Sequence, residues 1–140
     1  MSQEEMQGAE LPDPQYIHRV STPANHVVDP EKQPVTVKFG KNLTVKDIER
    51  YAATLRANPL FRPNFSEIVD LTHVETLDLQ ADEFLRLADE IDPFSTEAKR
   101  AFVAGTSVQN HAARMHKILR TQRNIEIFRT VAEAKRWIMK

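Results

Sequence analysis

The spacing of apolar and polar positions changes along the chain, and each change marks an element. Pro34-Val35-Thr36-Val37-Lys38-Phe39 alternates and is β-branched, which predicts a half-buried strand ending at Gly40. Val45, Ile48, Ala52 and Leu55 then fall on one helical stripe, and Thr44 with Asp47 offers a capping-box start. Asn58-Pro59 stops this helix. Ser66 to Leu71 is a strand of the buried kind. Phe84, Leu87, Ala88 and Ile91 line a second helix, with Asp82, Glu83, Asp89 and Glu90 turned away and Asp92-Pro93 at its end. Lys99 to Ala104 is a third buried strand closed by Gly105. A third helix opening at Thr106 or Ser107 is expected to bury Val108, Ala112, Met115 and Leu119. Asn124 to Phe128 is the last strand. Thr130 to Glu133 forms a further capping box, opening a helix that turns Val131, Ala134, Trp137 and Ile138 inward.

From residue 34 onward strands and helices alternate, which predicts four parallel strands joined by right-handed crossovers. Tyr16 to Ser21 and Asn25 to Asp29 read as short strands that add an antiparallel edge. The predicted class is α/β, a mixed, mostly parallel sheet flanked by helices. Residues 1–13 are acidic, polar and Pro-interrupted and are expected to be a frayed, disordered tail. Residues 14–140 are then one domain.

Composition narrows the chemistry. The chain has 140 residues, 41% hydrophobic and 28% charged, which is ordinary globular usage. It has no cysteine, which removes disulfides, thiolate metal sites and thiol nucleophiles. Three glycines, Gly8, Gly40 and Gly105, leave no clustered-glycine phosphate loop. The net charge is −1, yet residues 64–98 carry −9 and residues 99–140 carry +8. An acidic middle and a basic end can mark partner surfaces or attract each other across the fold. With no basic or apolar leader and no spanning run, the expectation is a cytoplasmic protein without membrane insertion.

Each motif with catalytic or binding potential has a plainer structural explanation. His18, His26, His73, His111 and His116 show no metal-ligand spacing, and His111 and His116 lie about 140° apart on one helix. Gly105-Thr106-Ser107 lacks the second glycine of a nucleophile elbow and reads as a strand end with a helix cap. It is kept as a candidate anion site, because ligands bind at the carboxyl ends of parallel strands. Asp70 and Thr106 would suit a phosphoacceptor receiver, but the acidic pair after the first strand is missing. Arg114, Lys117, Arg120 and Arg123 form a basic row without interleaved aromatics, expected to be a solvated face rather than a nucleic-acid site. Trp137 is expected to pack in the core.

Ile68-Val69-Asp70-Leu71-Thr72-His73-Val74-Glu75-Thr76-Leu77-Asp78 resembles the STAS domain of sulfate-transporter tails and anti-sigma-factor antagonists. There a buried strand is followed by a short loop and an Asp-Ser motif at a helix start. Phe128 to Ile138, with its Glu133-Ala134 and Trp137-Ile138 pairs, is similar to the ending of the SpoIIAA-like set. The resemblance implies a STAS-like fold and a regulatory role switched by phosphorylation of the serine after that aspartate. Here Asp78 is kept, but Leu79 and Gln80 stand at the serine positions and Ala81 where glycine is usual. Neither Leu nor Gln accepts a phosphoryl group.

The expectation is therefore a non-catalytic regulatory or protein-interaction module without the serine switch and without a cofactor or metal. Its candidate partner surface is Thr76, Asp78, Gln80, Asp82 and Glu83. The partner is another protein, with a homodimer left open. The alternative is a small-ligand domain for an anion, nucleotide or lipid, sited at the strand carboxyl ends around Asp70 and Gly105, Thr106 and Ser107.

Overall fold

The computed structural model describes residues 25–28 and 34–140. The expected acidic tail, the strand at Tyr16 to Ser21 and His18 lie outside the described residues. The main sheet has five strands: β1 (Asn25–Val28), β2 (Val35–Lys38), β4 (Glu67–Asp70), β6 (Arg100–Val103) and β7 (Ile125–Phe128). They stand in the order β1-β2-β4-β6-β7. β1 is antiparallel to β2, and every other neighbouring pair is parallel, as the sequence pattern predicts.

Two short strands were not expected. β3 (Asn42–Thr44) and β5 (Thr76–Asp78) pair in parallel as a separate two-stranded sheet. The stretch after His73, expected as loop, is thus tied at Thr76 and Asp78 to the residues that lead into the first helix.

The period-2 alternation sorts the sheet into two faces. Ile68, Ala101 and Val103 point to one face, covered by α4 (Val131–Ile138) through Ala134, with Phe128 and Trp137 half-buried beside them. Val35, Val37, Val69, Phe102 and Ile125 point to the other. That face is covered by α1 (Val45–Ala57), α2 (Ala81–Arg86) and α3 (Ser107–Arg120). Three helices, α1, α3 and α4, start where expected. Thr44, Thr106 and Thr130 each cap by accepting the backbone N–H three residues on, and Asp47, Gln109 and Glu133 complete reciprocal boxes.

Two expectations need correction. α2 does not run to Ile91 as regular α-helix, because Leu87–Ile91 widens into a π-helical turn closed by Asp92 N–H donating to the Leu87 carbonyl. The inward stripe of α3 is displaced as well. Val108 is 39% exposed, Met115 and Leu119 are only half-buried, and Gln109, Ala112 and Ala113 are the buried positions. The capping box accounts for this, since it pulls the Gln109 amide back over the strand end.

Candidate functional site

Two regions carry the chemistry of this fold, one at each end of the parallel strands. At the carboxyl ends, Asp70 accepts from Thr72 N (2.9 Å) and Thr72 Oγ1 (2.6 Å). Gln109 Oε1 accepts from the N–H of Gly105 (2.7 Å) and of Thr106 (3.2 Å), while its amide nitrogen donates to the Val74 carbonyl (2.9 Å). Two backbone donors of the candidate anion site, those of Gly105 and Thr106, are thus engaged within the chain by a side chain that is 3% exposed. A shallow groove lies beside them, lined among others by Lys41, His73 and Thr106.

The candidate partner surface is brought together. Thr76 and Asp78 are exposed on β5, and Thr76 Oγ1 donates to Asn42 Oδ1 across the small sheet. Leu79 turns inward against the Ala52, Leu87 and Ile91 cluster. Gln80 caps α2, and its N–H donates to Glu83 Oε1 at 2.8 Å, so Glu83 is partly committed to its own helix. Asp82 is free on the exposed side of α2, next to a Leu85 that is 48% exposed.

At the amino ends of the strands lies a buried charge cluster that pattern reading missed. Register places Glu67 of β4 directly opposite Arg100 of β6, both facing the three-helix layer. Arg100 Nε donates to Glu67 Oε1 (2.8 Å) and Arg100 Nη1 to Asp92 Oδ2 (2.6 Å). Tyr51 of α1 donates to Glu67 Oε2 (2.6 Å), and His116 Nε2 lies 2.7 Å from Asp92 Oδ2. Arg120 reaches the Phe94 carbonyl at 2.7 Å and stands 3.6 Å from Asp92. Gln122 accepts from Arg100 Nη1 (3.3 Å) and donates to the Ala98 carbonyl (2.8 Å). Glu67, Arg100 and Asp92 have side chains 1%, 4% and 3% exposed.

Several expectations change with this cluster. Asp92, expected only as a helix stop, is a buried hub. Arg120 leaves the solvated row to join it, whereas Arg114 and Arg123 stay exposed. His116 serves the network, and His73 and His111 are exposed, the latter with its ring edge on Phe84. Among the described residues no group of three or more His, Asp or Glu side chains could hold a metal ion. Trp137 is half-buried rather than enclosed, with Lys99 Nζ 4.6 Å from its ring centre. One signal in the sequence pointed to the cluster: Glu67 and Arg100 are charges placed inside runs that otherwise read as buried strand.

The electrostatics follow from burial and pairing. Burial alone would raise the Asp92 carboxyl, but the Arg100 charge and the hydrogen bond and charge of His116 outweigh it, holding that carboxyl well below the usual range. Burial, with the Glu67 charge and hydrogen bond, pushes the Tyr51 hydroxyl well up, so it remains a donor. Burial would lower the Arg100 guanidinium, yet Glu67 and Asp92 raise it. A depressed carboxyl stabilises the native state above the unfolded-chain value of about 4 and loses that contribution as pH falls through the native value. Urea midpoints are therefore expected to drop from about pH 4 downward, and Asp92→Asn, itself less stable at pH 7, to flatten that slope. An unchanged slope in Asp92→Asn would show that other carboxylates set the acid response.

Among the described residues no helix is long and apolar enough to cross a membrane. No family model matches the chain, and no curated protein matches it. Solved structures do. An uncharacterized protein from the DUF3478 family with a SpoIIAA-like fold, from Shewanella loihica PV-4, is 18% identical with a TM-score of 0.59. That match covers 87% of this chain and 98% of the other. An anti-sigma factor antagonist from Mycobacterium paratuberculosis is 15% identical with a TM-score of 0.56, over 86% of this chain and 98% of its own. The mixed sheet, its helices and these two matches together show that the chain adopts the SpoIIAA-like, or STAS, fold.

Proposed function

We propose that the chain is a non-catalytic regulatory module that binds another protein through β5 and the start of α2, without the serine phospho-switch. The observation that carries this reading is Leu79. It directly follows Asp78 and packs inward against Ala52, Leu87 and Ile91, where it offers no hydroxyl to modify. Around it the surface is acidic with one apolar contact: Asp78 and Asp82 are exposed, and Leu85 is 48% exposed. A basic partner surface with an apolar pocket for Leu85 fits that chemistry. The fold it shares with an anti-sigma factor antagonist supports a regulatory role.

Site-specific photocrosslinking in the native host tests the surface. A photoreactive residue at Leu85 is expected to trap one discrete protein, and the same residue at Lys135 on α4 to trap none. Adducts from Lys135 only, or from neither position, would contradict the assignment. Phosphate on Thr76 that governs complex formation would contradict the absence of a switch.

A further inference from the structure

Between the sheet and α1, α2 and α3 lies a cavity of about 80 Å³. Its walls are apolar, formed by residues such as Val69, Phe84, Leu87, Phe102 and Ala112, and Arg100 and His116 of the charge cluster close one end. Close packing leaves few voids larger than a water molecule, so an apolar void of this size is unusual in a small domain. Two further observations sit on the same wall. The π-helical turn Leu87–Ile91 contributes Leu87, and such turns occur frequently at functional sites. The charges at the end are deeply enclosed, and buried ion pairs of this kind are a weak source of stability.

We propose that this cavity is a binding site for a small uncharged organic molecule with an apolar body. The size follows from volume: a cavity of about 150 Å³ holds benzene, so this one suits a body of about three or four carbons. The uncharged class follows from the apolar walls, against which a buried charge would lose its hydration with nothing to replace it. This site does not depend on the partner surface proposed above.

The test is a methyl NMR titration of the full chain with 1-butanol, with butanoate as the charged counterpart. Saturable shifts are expected at Ile48, Leu71, Leu79, Leu87 and Ala112, all on the cavity wall. The exposed Leu60, Leu85 and Ile118 should stay still, and butanoate should need a higher concentration for the same shifts. Ala112→Leu, which fills the void, should abolish the response; if it fails to fold, Val69→Ile should weaken it. Linear shifts spread over the exposed methyls would overturn the proposal. Tighter binding of butanoate would overturn the uncharged class, and an undiminished response in a folded Ala112→Leu would overturn the location.

Discussion

Replacing Arg100 with methionine is expected to lower stability by about 3–5 kcal/mol, the largest effect of any single substitution considered for this chain. Arg100 is 4% exposed and bonds two carboxylates, Glu67 and Asp92, that are themselves almost fully enclosed. Methionine fills similar space but leaves Glu67 without a cation and Asp92 with only His116 and the more distant Arg120. The cost therefore comes mainly from the stranded charges, more than from lost packing. A domain of this size has about 5–15 kcal/mol in total, so the variant would be marginal at room temperature. Urea unfolding checks this through a lower midpoint at unchanged slope. The triple replacement Glu67→Gln, Asp92→Asn, Arg100→Met, which removes the three most enclosed charges of the cluster, should recover part of the loss. A single-variant loss below about 1 kcal/mol would mean that water reaches the carboxylates.

Leu55→Ala is expected to cost about 2–5 kcal/mol by a different mechanism. Leu55 is 0% exposed, on the inner face of α1, within the main core cluster beside the sheet. No polar group depends on it, so the loss is the transfer free energy of the deleted carbons plus the void left behind. The helix itself should survive, because Thr44 and Asp47 cap its start independently of position 55. Far-ultraviolet circular dichroism should therefore be unchanged while the unfolding midpoint falls. A drop under about 1 kcal/mol would mean that α1 collapses onto the sheet and fills the gap.

Much of this fold is legible in the sequence because the signals are local and repeated. Val35 to Phe39 alternates, Glu67 to Asp70 and Arg100 to Val103 are short runs bounded by breakers, and three threonines cap helices with acidic or amide partners three residues on. What escaped reading depends on pairs far apart in the chain. β3 and β5 are three residues each, too short to show a period, and only their mutual pairing makes them strands. The charge cluster joins Tyr51, Glu67, Asp92, Arg100, His116 and Arg120 from five parts of the chain. Arg120 sits in a row of basic residues whose helical spacing suggests solvent, and only its hydrogen bonds to Ala88 and Phe94 turn it inward. Of the candidate partner surface, Asp78, Gln80 and Asp82 are exposed, which their polar character already suggests in the sequence. The sequence did not reveal that Glu83 is held by the N–H of Gln80.

That restraint on Glu83 decides which variant interrogates the surface cleanly. Asp78→Lys/Asp82→Lys reverses two exposed charges and leaves the Glu83 cap and the Leu79 contact in place. Calorimetric titration of the protein trapped through Leu85 against native chain and this double variant is the most direct measurement. An affinity at least about tenfold weaker, or about 1.4 kcal/mol, with an unaltered thermal midpoint, is the expected result. Equal affinity of the two chains would contradict the account, since binding would then take place elsewhere on the molecule.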